Sequence, residues 1–361
     1  LAGSYHGDTI GAMDACAPNT FNREVAWYRG RGCWLDGPTV ALKDGTARIS
    51  FAGTEYTFAS LAAALDVPSR LTSDCAAAYR AEIRRTLEHL VIVEGRRFGA
   101  LMLEPLVMGA GGMLLVDPLY QRCLVDVVRA SEDLFALSDP PLRTAHAPVP
   151  RADISTWRGL PVVYDEVFSG LYRLGVPSAS EVLGTRPDIA CYAKILSGGI
   201  VPLAATLASE EIFATFAHPS KTRALLHGHS YTAHPVGCTV ALETLALLDS
   251  LRTSGAWDAA HADWESTRTW SMWSRSAVTR LSHSEHVRGV WALGTVLALE
   301  LVGDAGYAST AATSLVAALR AHGVHVRPLG NVVYIMCSLS TPAAELRRIE
   351  HTTDSLLLGN A

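Results

Sequence analysis

The chain has 361 residues, of which 49% are apolar and 18% charged, and its formal net charge is −5. This composition excludes a disordered or coiled-coil chain, and the slight acidity provides no electrostatic basis for a nucleic-acid partner. No apolar run in the sequence reaches the ~20 residues that a membrane helix requires, so we expect no membrane partner. The length predicts one large and one smaller domain, and the high apolar fraction indicates an oligomer.

The first part of the chain changes character several times. Residues 3–50 are rich in glycine, aromatic residues and turn formers, whereas residues 54–97 have a helical pattern that is clearest in AAAYRAEIRRTLEHL. A glycine turn at 109–112 precedes a second helical pattern over 118–135. Residues 136–159 are polar and rich in proline, which predicts a surface insertion.

Four short apolar runs predict the strands of a mostly parallel sheet with helices on both faces, because helical stretches separate most of them. The runs cover residues 98–104, 160–165, 188–194 and 202–207. The fold class predicted from them is α/β.

The C-terminal part of the chain predicts a second unit. A long helix is expected over residues 235–251, and from about residue 255 the pattern changes to a Trp-rich helical segment, alternating strands and a final helix. We therefore expect a large domain over residues 1–254 and a small α+β domain over residues 255–361.

Cysteine and histidine spacing gives no indication of a metal site. The seven cysteines include no C-x-x-C pair, which argues against a structural zinc or a disulfide framework. His227, His229 and His234 cluster, but their spacing matches no standard zinc pattern. We predict no metal.

A charged residue follows each of three apolar runs, namely Glu104, Asp165 and Lys194. Ligands of parallel sheets gather at the carboxyl ends of the strands, so these side chains are candidates for one site. A desolvated lysine is a nucleophile, and a carboxylate can pair with a pyridinium nitrogen; both are requirements of pyridoxal phosphate chemistry. From spacing alone, a Lys–Asp salt bridge at a sheet edge remains the alternative.

Longer motifs favour the cofactor. The sequence resembles the class III aminotransferases, which have the fold-type I architecture, in stretches that follow the order of that family and span nearly the whole chain. These stretches are GSYHGDTIGAM (3–13), LMLEPLVMGAGGM (101–113), VVYDEVFSGLYRLG (162–175), PDIACYAKILSGGIVPLAATLA (187–208) and LLHGHSYTAHPVGC (225–238). The resemblance implies a pyridoxal 5'-phosphate enzyme with a small C-terminal α+β domain.

Within this family the sequence is most similar to the diaminopelargonate aminotransferases of biotin synthesis, as SYHGDT, the GAGGM turn and VRPLGNVVYIM (326–336) indicate. WYRGRGCWLDGPTV (27–40) looks like the aminotransferase half of eukaryotic bifunctional enzymes, which also carry a dethiobiotin synthetase half. This resemblance implies amination of 7-keto-8-aminopelargonate to 7,8-diaminopelargonate, with S-adenosylmethionine as the customary donor. It also implies a mitochondrial location, with the cytoplasm as the alternative, and a large domain whose beginning, with a Gly-Ser phosphate turn, lies upstream of Leu1.

The resemblance also assigns roles to the strand-end residues. Lys194 would bind the cofactor covalently and then act as the base that moves a proton. Asp165 would keep the ring nitrogen protonated. Glu104 would orient Asp165 or the region of the ring hydroxyl.

Further roles are implied outside the strand ends. Tyr5 would stack on the cofactor ring and line the substrate pocket, where Gly228 would allow close backbone approach. His229 and Ser230 would bind the cofactor phosphate of the neighbouring subunit, which requires a homodimer. Arg327 would hold the substrate carboxylate with its two parallel donors.

Two alternatives remain open at this point. The chain could be another class III aminotransferase, acting on ornithine, 4-aminobutyrate or another ω-amine. It could instead be an inactive fragment or pseudo-enzyme that assists folding or assembly. A dehydrogenase is disfavoured, because no G-x-G-x-x-G follows an early strand.

Overall fold

A computed structural model of the chain describes residues 32–135, 159–225, 230–306 and 308–359. Apart from Gly159, the predicted surface insertion at 136–159 lies outside the described residues. Among the helices of these ranges, none combines the length and the hydropathy needed to cross a membrane.

The strands of the described residues are β1 (Val40–Lys43), β2 (Thr46–Phe51), β3 (Thr54–Phe58), β4 (Leu101–Leu103), β5 (Val107–Met108), β6 (Leu114–Leu115), β7 (Val162–Asp165), β8 (Ile189–Tyr192), β9 (Ala205–Ala208), β10 (Val287–Leu293), β11 (Val296–Leu301), β12 (Arg327–Leu329) and β13 (Val332–Met336).

The α-helices of the same residues are α1 (Leu61–Leu65), α2 (Val67–Arg70), α3 (Asp74–Glu88), α4 (Pro118–Ala130), α5 (Glu132–Phe135), α6 (Ser180–Leu183), α7 (Glu210–Phe216), α8 (Pro235–Thr253), α9 (Asp258–Trp264), α10 (Arg275–Ser282), α11 (Thr313–Ala321) and α12 (Ala343–Leu358). A π-helical turn (His89–Val93) and two 3-10 turns (Lys194–Leu196 and Lys221–Arg223) complete them.

A four-stranded sheet has the order β4-β7-β8-β9. Its first three strands are the ones that lead to Glu104, Asp165 and Lys194. β4 pairs parallel with β7 and β7 pairs parallel with β8, whereas β9 runs antiparallel to β8. The first three residues of β7 are buried, as expected for a central strand with covered faces. The mostly parallel sheet predicted from the four apolar runs is therefore confirmed.

A second sheet of seven strands is antiparallel and has the order β12-β13-β11-β10-β1-β2-β3. β1 joins the C-terminal strands through its pairing with β10, where Leu42 lies opposite Val290. This sheet draws strands from both sides of residue 254, and the domain boundary predicted there stays a prediction.

Two tight hairpins shape the first three strands. Asp44-Gly45 and Ala52-Gly53 all have positive φ angles (52°, 73°, 48° and 81°), as in the two-residue turns that match strand twist. The helix predicted from residue 54 onward is therefore wrong for residues 54–58, which form β3. The reason is that the tight turn returns this segment alongside β2, where backbone pairing stabilises it.

The helical patterns over residues 76–90 and 118–135 are confirmed by α3 and by α4 with α5. Ser73 caps α3 by accepting a hydrogen bond from the Ala76 amide, and Asp117 caps α4 ahead of a proline at its first position. The two helices bury apolar faces in a common cluster with Leu160.

Four buried tryptophans connect the C-terminal segment to the rest of the core, namely Trp257, Trp264, Trp270 and Trp273. Trp264 ends α9, but Trp270 and Trp273 lie between α9 and α10, so the predicted Trp-rich helical segment is helical only in part. Each indole nitrogen donates to a backbone carbonyl; for Trp270 the acceptor is Gly175, at 2.9 Å. These bonds satisfy the polar edge of each ring, and the bond from Trp270 to Gly175 holds the segment that follows β7 against the C-terminal segment.

A buried ion pair provides a test of what stabilises the first part of the fold. Asp117, which is fully buried, accepts hydrogen bonds from Arg70 (2.7 and 2.8 Å), from Tyr79 (2.8 Å) and from the Leu119 amide (3.0 Å). Replacing Asp117 with alanine should lower the free energy of unfolding by about 3–5 kcal/mol, because the buried guanidinium loses its counter-charge. Denaturant unfolding followed by circular dichroism measures this loss.

The matched control is Glu82→Ala, which breaks an exposed pair with Arg85 in α3. An exposed pair contributes less than about 1 kcal/mol, so this variant should unfold almost as the parent does. Equal losses in the two variants would contradict the role given to Asp117.

Candidate active site

Three charged residues meet at one edge of the four-stranded sheet. Glu104 directly follows β4, Asp165 is the last residue of β7, and Lys194 lies just beyond the end of β8. The parallel register places Leu103 opposite Tyr164 and Asp165 opposite Cys191, so the three strands end at about the same level. The strand-end position predicted for these side chains is thus the position that they occupy.

Lys194 has an unusual backbone conformation and a lowered pKa. Its φ angle of 48° lies in the left-handed region, which side chains other than glycine rarely adopt and which recurs at functional sites. The residue is exposed, yet enough protein surrounds the amine for desolvation to lower its pKa. The negative charges of Asp165 and Glu104 partly oppose this shift, and the positive charge of Arg173 adds to it. A lowered pKa increases the fraction of neutral, nucleophilic amine.

Asp165 is half-buried, and its side chain is oriented by the turn that it begins. Its Oδ1 accepts a hydrogen bond from the amide of Val167 at 3.1 Å. This bond fixes the carboxylate at the sheet edge, on the strand next to the one that leads to Lys194.

Glu104 is 5% exposed and belongs to a tightly bonded turn. Its Oε2 accepts from the Gly109 amide at 3.0 Å. Gln121 in α4 donates to the Glu104 carbonyl and accepts from the Leu106 amide, both at 2.8 Å. A Cβ at Gly109 would lie 3.2 Å from the Phe168 ring, so the glycine lets this turn pack on the loop after β7.

Arg173 is the member of the site that the sequence interpretation missed. Its backbone carbonyl accepts from the amide and hydroxyl of Thr295 (2.9 and 3.1 Å), and its Nη1 donates to the same hydroxyl (3.3 Å). Its buried Nε has no hydrogen-bond partner, and burial lowers the pKa of the guanidinium. The sequence signal that could have indicated Arg173 is a basic residue inside GLYRLG, shortly after the candidate carboxylate Asp165.

The remaining predicted residues are not brought to this edge by any described contact. Tyr5, Gly228 and His229 lie outside the described residues. Ser230 is exposed in the turn before α8, and Arg327 is exposed at the start of β12, opposite Tyr334 in the second sheet. The charged groups described as acting on Lys194 are Asp165, Glu104 and Arg173. The roles predicted for the other residues stay predictions.

The chemistry of this edge fits pyridoxal phosphate. A neutral amine can add to an aldehyde, and a fixed carboxylate can pair with a cationic ring nitrogen. Lys194 offers the amine and Asp165 the carboxylate, while Glu104 adds a second negative charge that acts on Lys194.

Comparison with known proteins places the chain among transaminases. The family model described as "Aminotransferase class-III" matches residues 151–355. A bifunctional dethiobiotin synthetase/adenosylmethionine-8-amino-7-oxononanoate aminotransferase of Emericella nidulans is 49% identical, covering 99% of this chain and 47% of the relative. A mitochondrial bifunctional dethiobiotin synthetase/7,8-diamino-pelargonic acid aminotransferase of Oryza sativa is 41% identical, covering 94% of this chain and 40% of the relative. The chain thus spans less than half the length of these relatives.

The fold is that of solved transaminases. An amine transaminase from an uncultivated Pseudomonas species, solved with pyridoxal phosphate bound, superposes with a TM-score of 0.59 and 23% identity. The superposition covers 79% of this chain and 57% of that structure. The expected fold-type I architecture is therefore confirmed.

The charges around Lys194 predict opposite effects of two substitutions on its pKa. Asp165→Asn removes a negative charge that favours the protonated amine, so the pKa of Lys194 should fall. Arg173→Met removes a positive charge that disfavours it, so the pKa should rise. Mass spectrometry of Lys194 labelled by an amine-reactive reagent across a pH series measures both shifts.

Lys221, exposed in a 3-10 turn, is labelled in the same samples and corrects for changes in the reagent with pH. Shifts of the same sign in both variants would mean that local unfolding, and not charge, sets the labelling profile of Lys194.

Proposed function

Because the chain belongs to the class III aminotransferases, we propose that it is a pyridoxal phosphate enzyme that aminates 7-keto-8-aminopelargonate to 7,8-diaminopelargonate. The observation that carries the proposal is the amine of Lys194, with its lowered pKa, at the same sheet edge as Asp165. The names of the Emericella and rice relatives support the substrate.

S-adenosylmethionine is the proposed amino donor, since the name of the Emericella relative includes adenosylmethionine. We also propose a mitochondrial location, which the name of the rice relative supports.

Pyridoxal phosphate, when bound, supplies an aldehyde that exchanges amino groups and a ring that delocalises negative charge from the substrate carbon. Lys194 would hold it covalently through Nζ. The same amine, once free, would act as the base that moves a proton between the substrate carbon and the cofactor carbon. Desolvation, the largest cause, and the charge of Arg173 both lower the pKa of this amine.

Two carboxylates would act on the bound ring, one through the protonation of its nitrogen and the other through the orientation of its surroundings. Asp165, fixed by the Val167 amide, would keep a proton on the ring nitrogen and so preserve the electron-withdrawing form. Glu104, fixed by the Gly109 amide, acts on Lys194 electrostatically and would orient Asp165 or the region of the ring hydroxyl.

The motif likeness supports further assignments. Tyr5 would stack on the ring, Gly228 would admit the substrate, and Arg327 would pair with the carboxylate at its far end. His229 and Ser230 would hold the phosphate in the site of the neighbouring subunit, which makes a homodimer the proposed active form.

Exposed apolar side chains support the dimer. Between residues 200 and 247 the following are at least 57% exposed: Ile200 (74%), Leu207 (60%), Phe213 (63%), Leu225 (59%), Tyr231 (75%), Val236 (61%), Leu242 (68%) and Leu247 (57%). These residues define the apolar segment, and they lie on both sides of His229 in the sequence. Many exposed apolar side chains in one part of a chain are typical of an interface between protein chains.

The activity is tested with the purified chain, pyridoxal phosphate and 7-keto-8-aminopelargonate. We expect diaminopelargonate by mass spectrometry with S-adenosylmethionine as donor, and a loss of more than about 10⁴-fold in Lys194→Ala, which lacks both the covalent anchor and the base. Lys221→Ala should retain the parental rate.

The outcomes separate the alternatives. Product from ornithine or 4-aminobutyrate, with none from S-adenosylmethionine, would replace the proposal by another class III activity. No product from any donor, together with no absorbance from covalently bound cofactor, would indicate a pseudo-enzyme.

The dimer is tested by light scattering after size exclusion. The parent chain should have twice the monomer mass at micromolar concentration. Leu242→Arg should weaken association at least ~10-fold, because a desolvated arginine without a partner opposes docking. Val302→Arg, at an exposed valine in the C-terminal part of the chain, is the control and should remain dimeric. A monomeric parent chain would contradict the proposed assembly.

A further inference from the structure

We propose that Glu166 and Tyr192 form a positioning pair that fixes the spacing between Asp165 and Lys194. Neither residue reaches the sheet edge as a reacting group; both act through their chain neighbours. The proposal rests on the proposed function in one respect, namely that Lys194 and Asp165 are the reacting residues.

Glu166 is a buried carboxylate with three donors. It is 1% exposed, and its Oε1 accepts from the Ser178 hydroxyl at 2.6 Å and the Tyr192 hydroxyl at 3.0 Å. Its Oε2 accepts from the Ala179 amide at 2.9 Å. The donors are hydroxyls and an amide, with no cation among them, and burial raises the pKa of the carboxyl group. Placing such a group here costs free energy that an apolar side chain would not, which favours a specific role.

The hydrogen bond from Tyr192 to Glu166 connects the two strands where they end. Glu166 directly follows Asp165, the last residue of β7, and Tyr192 is the last residue of β8, shortly before Lys194. Asp165 lies opposite Cys191 in the parallel register. The bond therefore spans β7 and β8 immediately beyond their last backbone pairing, where both site residues leave the sheet.

The Tyr192 ring is closely packed, in addition to the hydrogen bond of its hydroxyl. A Cβ at Gly170 would lie 2.7 Å from the ring and 2.9 Å from the Glu166 carbonyl, so the ring packs directly on the backbone of the turn after β7. The Gly170 amide donates to that same carbonyl at 3.0 Å. The Tyr192 hydroxyl remains a donor at neutral pH, because burial and the nearby Glu166 raise its pKa to about 12.

Loss of this bond should loosen the end of β8 and admit water to the Lys194 amine. Desolvation is the largest cause of its lowered pKa, so added water moves that pKa up toward the ordinary value. Asp165, Glu104 and Arg173, the other charged groups that act on the amine, remain in the chain when the pair is removed.

The experiment compares Tyr192→Phe and Glu166→Gln in the full 361-residue chain without added cofactor. The readout is the pH midpoint of Lys194 labelling by mass spectrometry, with melting temperature measured in parallel. We expect both variants to raise the pH midpoint of labelling by about half a unit. Below the midpoint, this shift corresponds to a roughly threefold lower labelling rate. The double variant should shift it no further than the larger single shift, since both changes act on the same bond: Tyr192→Phe removes its donor, and Glu166→Gln removes the charge of its acceptor.

Glu350→Gln is the matched control. Glu350 is also a buried carboxylate (3% exposed) that accepts from an amide and a hydroxyl, here both of Ser274, and burial raises its pKa. Unlike Glu166 it also pairs with a cation, Arg347, at 3.0 Å. This variant should lower the melting temperature and leave the Lys194 midpoint unchanged.

An unchanged Lys194 midpoint in Tyr192→Phe would overturn the proposal and leave Glu166 a structural carboxylate like Glu350. Additive shifts in the double variant would also overturn it, because the two residues would then act separately. If Glu166→Gln does not fold, Tyr192→Phe decides alone, since it keeps the ring and removes one oxygen. The readout needs neither substrate nor turnover, so failure of the proposed aminotransferase activity leaves the result interpretable.

Discussion

The parallel pairing of β4, β7 and β8 is the constraint on which the candidate site depends. Because these strands run the same way and end at about the same level, the residues that follow them meet at one edge. The interior of β7 is buried and apolar, so a polar side chain can leave the sheet only at the strand end. A register slip of one residue would turn the Asp165 side chain to the opposite face and separate it from Lys194.

The polar groups at this edge are held by hydrogen bonds that exist before any ligand arrives. The Gly109 amide holds Glu104, the Val167 amide holds Asp165, and two hydroxyls and an amide hold Glu166. Groups fixed in this way do not have to reorganise during a reaction, which is how enzymes make electrostatic stabilisation effective. The electrostatic field at Lys194 is therefore set by the folded protein before any ligand binds.

The second sheet contributes to the site although none of its strands ends there. The turn between β10 and β11 contains Thr295, which anchors Arg173, and the buried Trp270 holds Gly175. The loop after β7 is therefore fixed at one end by the first sheet and at the other by the second. The two sheets and the C-terminal segment share one hydrophobic core. That core therefore helps to hold in place a site that is built on the parallel strands.

The sequence by itself determined the strands of the first sheet, the helices α3, α4 and α8, and the three residues at the strand ends, because apolar periodicity and strand-end polarity are local properties. The dipeptide Asp44-Gly45 is also a hairpin signal in the sequence. Only the tertiary structure decided that Arg173 acts on Lys194 and that residues 40–58 join the C-terminal strands. Desolvation, Coulomb interactions and sheet pairing depend on distances between segments far apart in the chain, and folding alone sets those distances.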